Sequence, residues 1–439
     1  MNQTSSQMSM SVRVRLSTMM FLQYLMFAVW FVPLAAYLTN REVEGWMKAM
    51  IISSMPLGCL ISPIICMIAD RHFAGEKVLM VLNVACAVLF FIGAQVAAPG
   101  LLFFVLLIAM FCYMPTWNLT NAIAMTNSPS EKFPQIRVFG SIGWVASGVF
   151  SLTAINLFGV KVFDGTALPL YCGAGAAVVA ALLNLTLPNT PPPAKGKPAS
   201  IVDALGLRSL GLLKDLNFAA FMILSMLVMI PFTMYFSLGS DFFQSKGYEL
   251  ITARMNWGQF AEMFLMLLVP ISLARLGVKW TIVIGLAGLV LRYVAFYAGG
   301  ICDLPTLYYG AILIHGAIFG FFFVGGQVYV DKKAPSGMRA QAQGLIGLMI
   351  YGIGWLTGNF FNVKLIDMYT TLTDSGEKVY DWDTIWIVTT VISAVLLGAF
   401  LFLFRDDVTE GRLAASAGPD RNKGQMAAAA VAEESDEGE

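Results

Sequence analysis

Met255-Asn-Trp-Gly-Gln-Phe-Ala-Glu-Met-Phe-Leu-Met-Leu-Leu-Val-Pro270 is an apolar run that carries Gln259 and Glu262 near its middle. On a helix, Asn256, Gln259, Glu262 and Met266 recur at three- or four-residue steps and share one face, leaving Phe260, Phe264, Leu267 and Leu268 for lipid or neighbouring helices. A charge at membrane depth costs from about 2.5 kcal/mol upward on insertion scales, so a glutamate there marks a functional site by default. The alternative is a structural carboxylate that is protonated or paired with a basic residue from another helix.

Composition places this helix in a bilayer. Hydrophobic residues make up 58% of the chain and charged residues 12%, about half the usual charged share of a soluble domain. The formal net charge of zero says little about partners, because the placement of charge matters more than its sum. Two histidines and six scattered cysteines offer no metal-ligand spacing, and the cysteines lie in or beside apolar runs as small buried hydrophobes. No nucleophile–base pair, metal cluster or phosphate loop is visible in the sequence, so the chain is not expected to be an enzyme.

Working outward from that helix, the run Leu16–Thr39 is too long for a signal-peptide core and reads as a first membrane helix. Further runs of about the 20 residues needed to cross a bilayer fall at 46–69, 77–97, 99–122, 136–159, 167–188, 216–240, 252–274, 279–299, 306–330, 340–363 and 384–404. The expected fold class is therefore an all-α membrane protein of twelve helices. Arg13, Arg15, Arg71, Lys77, Lys132, Lys195, Lys197, Arg208, Lys214, Arg275, Lys279, Lys332, Lys333, Arg339 and Arg405 all fall on one side if the helices alternate, whereas the loops 97–100 and 299–305 contain no Lys or Arg. Both termini are then cytoplasmic.

The Pro-rich break at 189–215 divides six helices from six. The expected organisation is a cytoplasmic N-terminal segment 1–15, a six-helix bundle 16–188, a cytoplasmic linker 189–215, a second bundle 216–405 and a disordered, acidic cytoplasmic tail 406–439. The halves read as copies: Ala69-Asp-Arg71 precedes Leu273-Ala-Arg275 by 204 positions, and Gly140-Ser-Ile-Gly143 precedes Gly344-Leu-Ile-Gly347 by the same offset. An offset of six helices gives both copies the same topology, the parallel-repeat arrangement of the major facilitator fold, with a binding site near midplane between the halves. Asp70 and Arg71 resemble a degenerate form of that superfamily's loop between helices two and three. This implies a conformational role, with an ordinary topogenic loop as the alternative. Gly140, Gly143, Gly148, Gly344, Gly347, Gly352, Gly354 and Gly358 in helices five and eleven are expected to permit close, shifting helix contacts.

Phe21-Leu-Gln-Tyr24, Tyr113-Met-Pro-Thr116, Phe133-Pro-Gln-Ile-Arg-Val-Phe-Gly-Ser-Ile-Gly143, Gln259-Phe-Ala-Glu262, Leu291-Arg292 and Arg339-Ala-Gln-Ala-Gln-Gly344 run from the first helix into the eleventh. In order and spacing they resemble the nucleoside:proton symporter family of the major facilitators. The resemblance implies that Arg137, Gln259 and Glu262 contribute to nucleoside recognition, with Ser141 and Trp144 beside them on helix five. A nucleoside offers ribose hydroxyls and a base with a stacking face, so carboxylate, amide and aromatic groups suit it. Trp144 and Phe319 are the aromatic candidates, with helix packing as their alternative role, and Asn118, Asn121 and Gln327 are candidates for the cavity wall.

The sequence departs from the family pattern on helices seven and ten. Thr233 and Phe236 stand where the resemblance implies a Gln and an Asn, Gly320 where it implies an acidic residue, and His315 where it implies a Tyr. Thr233 and His315 therefore join the expected substrate-binding residues. His315, with an unperturbed pKa near 6.5, is also a proton-coupling candidate beside Glu262. Arg292 has two readings, neutralising Glu262 or serving structure. The expected function is nucleoside import across a bacterial inner membrane by alternating access, coupled to protons, by a monomer with no cofactor, metal or nucleic-acid partner. Another polar metabolite, such as a sugar or modified nucleoside, is the alternative substrate, and a non-transporting membrane sensor is the alternative class.

Overall fold

The computed structural model describes residues 8–129, 132–196, 200–335, 338–374 and 378–409. Residues 1–7, Lys197 and, of the tail 406–439 expected to be disordered, everything from residue 410 lie outside them; residues 406–409 are ordered instead, because Asp406 accepts from the N–H groups of Val278 and Lys279 and Asp407 pairs with Lys333. Among the described residues, eleven helices are long and apolar enough to span a bilayer. In chain order they are Met10–Asn40, Gly45–His72, Gly75–Gln95, Pro99–Thr126, Phe133–Asn156, Leu216–Ser245, Ile251–Arg275, Gly277–Ile301, Thr306–Lys333, Gln341–Met368 and Trp382–Thr409. A shorter apolar helix, Leu168–Asn184, takes the sixth place and completes twelve. The first helix starts earlier than its apolar run, because the Ser9 hydroxyl accepts from the backbone N–H of Val12 and caps it at Met10. Helices four, five and six open with a proline in their first turn, where its missing N–H costs nothing. The Asp215 side chain caps helix seven by accepting from the N–H groups of Asn217 and Phe218.

Helix one packs on helices five and six, and helix two on four, within the first set of six; helix seven packs on eleven and twelve, and nine on ten and twelve, within the second. Between the sets, helix one meets seven, two meets eleven, and five meets eight. Two–eleven and eight–five exchange under a pseudo-two-fold that carries each helix onto the one six places on, as a duplicated major facilitator fold requires. Lipid-facing positions on helix eight are those expected from its periodicity: Phe260, Phe264, Leu267 and Leu268 are all exposed.

At the end of the helices far from the 189–215 linker, the two sets close against each other. Lys48 of helix two pairs with Asp241 of helix seven, and Thr39 donates to the same carboxylate at 2.7 Å. Ala36 N–H donates to Ser240 Oγ at 3.3 Å, Asn40 meets Gln244, and Lys378 of a two-stranded hairpin pairs with Glu44. Asp164, in the loop before helix six, accepts from both the hydroxyl and the N–H of Thr252 at the start of helix eight. Burial raises the Asp164 carboxyl above its usual range, against the lowering effect of those two bonds. An added Cβ on Gly148 would lie 2.8 Å from Ala253 Cα, so helices five and eight meet backbone to backbone here.

The glycine expectation divides. Gly352, Gly354 and Gly358 have neighbours within 3 Å of an added Cβ, as do Gly140, Gly143 and Gly148, whereas Gly344 and Gly347 face open space. These last two sit at the linker end, where the sets stand apart.

Candidate functional site

A cavity of about 620 Å³ lies between the two sets, reaching from Phe236 and Trp355 toward Leu205 and Gly344 at the linker end. That volume lies in the range of small-molecule sites, roughly 300–1,000 Å³. One wall is aromatic: Trp144 lies 5.9 Å from both Phe27 and Phe236, and Tyr24 stacks on Trp117 at 5.7 Å. Phe319 also lines it. Polar side chains stand among the rings, with Arg137 and Ser141 from helix five, Gln259 and Glu262 from helix eight, and His315 from helix ten, 5.7 Å from Phe236.

Helix eight is tied in place one turn before Gln259. Asn256 donates to the carbonyl of Trp144 at 3.1 Å and to Ser147 Oγ at 3.0 Å on helix five, each bond worth about 1 kcal/mol. On its other side helix eight rests on Gly316, where an added Cβ would be 2.5 Å from Glu262 Cα. That close approach brings His315 Nε2 to 3.1 Å from the Gln259 amide and 3.8 Å from Glu262 Oε2. The polar stripe read from the sequence is thus aimed inward by two contacts that the stripe itself does not reveal.

Arg137 makes no ion pair among the described residues; its guanidinium lies over the ring of Tyr24, 4.6 Å from the centroid. Arg292 does not reach Glu262 as a partner. It donates from Nη2 to His315 Nδ1 at 3.0 Å, and its guanidinium lies 4.4 Å from the Tyr235 ring centre. Asn118, Asn121 and Gln327 line the cavity toward the linker end.

Thr233 is the exception among the expected binding residues. It is absent from the cavity wall, fully buried against helix eleven, with its hydroxyl donating to Met229 O and accepting from Asn362 Nδ2. Phe232 and Phe236, one helical turn apart, occupy the cavity face instead. Gly320 is also turned from the cavity: an added Cβ would meet Val269 Cγ2 at 3.1 Å and Met266 Cγ at 3.3 Å, so a larger side chain here requires those two side chains to give way. Asp70 and Arg71 stand outside the cavity. The Asp70 carbonyl accepts from Ala194 N–H of the linker at 2.8 Å, and Arg71 donates to Met67 O. Tyr24, Phe27, Trp117, Tyr351 and Trp355 line the site without having been assigned to it from sequence.

A family model described as "Nucleoside H+ symporter" matches residues 10–409. The chain is 35% identical over 411 residues to the putative nucleoside transporter YegT of Escherichia coli (strain K12), covering 91% of this chain and 96% of that protein. It is 30% identical over 418 residues to the xanthosine permease of the same organism, covering 90% and 96%. Among solved structures, the crystal structure of nucleoside transporter NupG superposes with a TM-score of 0.80 at 28% identity, over 90% of this chain and 100% of that one.

Proposed function

This chain belongs to the nucleoside H+ symporter family, and from that premise we propose that it imports nucleosides across a bacterial inner membrane by alternating access, driven by protons. It is a multi-pass membrane transporter and not an enzyme. With both termini cytoplasmic, the cavity opens inward and the Lys48–Asp241 closure is external. In this reading a single chain suffices, and its partners are the nucleoside, the proton and the bilayer.

The observation that carries the reading is that aromatic rings and polar side chains line one cavity together. The base stacks among Trp144, Phe236 and Phe319, and the ribose meets Gln259 and Glu262. Arg137 and Ser141 supply donors to the base or sugar from helix five. Arg137 is suited to this because its charge has no carboxylate partner within the described residues. Glu262 carries the proton. His315, the other candidate for that role, takes part through hydrogen bonds, since its Nδ1 is already occupied by a guanidinium donor.

Phe236 and the tight packing around Gly320 favour one second reading, a differently decorated nucleoside or another polar metabolite, because both leave helices seven and ten with fewer polar groups in the cavity. Uptake of a radiolabelled nucleoside and sugar panel into vesicles, with and without a pH gradient, separates these readings. Accumulation of none of the nucleosides under a gradient would overturn the proposal. Arg137→Ala and Gln259→Ala are each expected to weaken nucleoside binding about tenfold, the loss of about 1.4 kcal/mol from one polar contact, with membrane insertion and detergent stability near wild type. Calorimetric titration of both purified variants checks this, and undiminished affinity removes them from the site.

A further inference from the structure

We propose that Arg292 is a positioning residue for the binding site: it holds His315 as the neutral Nε2–H tautomer and thereby obliges Gln259 to turn its amide NH2 toward the ligand. The link to a ligand rests on the transport reading above; the tautomer does not.

The argument begins with what an arginine lacks. A guanidinium has five N–H donors and no acceptor, and it stays protonated. Arg292 is fully buried on helix nine, and its Nη2 lies 3.0 Å from His315 Nδ1. Nδ1 must therefore present a lone pair, which excludes both the imidazolium and the Nδ1–H tautomer. The one remaining proton sits on Nε2. Its Nε and Nη1 are buried without hydrogen-bond partners among the described residues, the face of Tyr235 lies at 4.4 Å, and the Tyr293 phenol is a further polar neighbour. A buried cation with two unused donors is costly, so the bond to Nδ1 carries much of its compensation.

The consequence passes through the imidazole to helix eight. His315 Nε2 lies 3.1 Å from the Gln259 amide atom placed as Nε2, and 3.8 Å from Glu262 Oε2, so a proton on His315 Nε2 requires the two ends of that amide to be exchanged. Two donors cannot share the shorter contact, and of the two groups only the amide has an oxygen to offer. The identity of an amide's two ends follows from their partners, which assigns Gln259 Oε1 to His315 and leaves the NH2 group for the cavity that Gln259 lines. Next to it, one turn on, stands the Glu262 carboxylate, an acceptor when ionised. The polar pair therefore reads donor then acceptor. It complements a vicinal diol in which one hydroxyl oxygen accepts from Gln259 and its neighbour donates to Glu262.

The charged and titratable groups around His315 are Arg292 from helix nine, Glu262 from helix eight and the Tyr235 phenol from helix seven. Arg137 of helix five and Tyr351 of helix eleven face the same cavity. Among the described residues, Arg292 alone contacts Nδ1 as a donor.

The chain has two histidines, so His72→Gln leaves His315 as the sole histidine, and ¹⁵N-histidine labelling of the full-length protein reads both ring nitrogens directly. The expected spectrum shows Nδ1 bare and Nε2 protonated, unchanged from about pH 8 to pH 5 although a free imidazole titrates near 6.5. Arg292→Met should let His315 titrate or exchange tautomers in that window and weaken nucleoside binding about tenfold. Arg292→Lys, which keeps a donor without an acceptor, should restore the fixed tautomer. A protonated Nδ1 in the otherwise native chain, or Arg292→Met with an unchanged spectrum, overturns the proposal. The first measurement stands even if the methionine variant fails to fold. If the fixed tautomer is seen but no nucleoside binds, the transport reading fails and the assignment of His315 survives.

Discussion

Glu262→Gln, purified as folded protein, is expected to bind nucleoside about ten- to hundred-fold more weakly and to lose pH-driven accumulation altogether. The substitution keeps the shape of the side chain and one of its hydrogen-bonding oxygens, so helix eight still seats on Gly316 and on Asn256's bonds to helix five. What it removes is the negative charge and the capacity to take a proton. A hydrogen bond to a charged group is worth roughly 1.5–3 kcal/mol, which sets the binding loss if the amide recovers little of it. The transport loss has a different origin: a site that cannot change its protonation cannot draw energy from a proton gradient. Facilitated exchange of nucleoside, which needs no gradient, should persist at a reduced rate. A merely structural Glu262 predicts another pattern, in which the Gln variant binds and accumulates normally and Glu262→Ala chiefly lowers the yield of folded protein. Binding and gradient-driven uptake measured on one preparation decide between them, and full retention of both would reject the assigned role.

Gly148→Leu should trap the molecule with its external side unable to close, and uptake should fall by about an order of magnitude or more. Even one added carbon at this position would sit 2.8 Å from the Ala253 backbone, a separation that forces helices five and eight apart. Overpacking of this kind costs about 1–3 kcal/mol, which corresponds to about a 5- to 150-fold shift away from the closed arrangement. In the open arrangement the two backbones separate and the leucine meets no such obstacle, so the variant folds. A cysteine placed at Ala36, fully buried in the closed seam beside Ser240, reports the shift in a background lacking the six native cysteines. It should react with an external maleimide in the Gly148→Leu protein far faster than in the parent. Equal labelling together with normal uptake would show that the five–eight contact does not limit the cycle.

The helix count was readable because crossing a bilayer takes about 20 apolar residues, and the polar stripe of helix eight because a charge in such a run has few explanations. Arg137, Ser141, Trp144, Gln259, Glu262, His315 and Phe319 do line one cavity. Thr233 does not, and helical phase accounts for it, because a residue one step after Phe232 points about 100° away from the face that Phe232 and Phe236 share. Tyr24, Trp117 and Tyr351 went unassigned because aromatic residues are 13% of the chain, so one more ring in a helix carries no signal. The Arg292–His315 contact lay beyond sequence reasoning for another reason. It depends on how closely helix nine passes helix ten, and periodicity along each helix leaves that distance open. Gly344 and Gly347 illustrate the same limit, since small residues permit contact without requiring it.

With the seam facing outward as proposed, the buried carboxyl of Asp164 is expected to make it responsive to the medium it faces. Its pKa is raised where helix eight and the loop before helix six are joined, and it should return toward the ordinary value near 3.9 once opening exposes it to water. The closed form then binds a proton more tightly than the open form. Closing is accompanied by fractional proton uptake from outside, and acidification between the raised value and the ordinary one favours closure, the gain being complete below the latter. Labelling of the Ala36 cysteine from outside should accordingly slow as external pH is lowered from 7 toward 4, and the slope should flatten in Asp164→Asn, which cannot titrate. An identical slope in that variant would assign the response to another group. Under the proposed function, acid outside the cell would then act on the transporter in two separable ways, as the fuel that Glu262 is proposed to take up and as an effector of the face proposed to be external, and only the first of these requires a gradient.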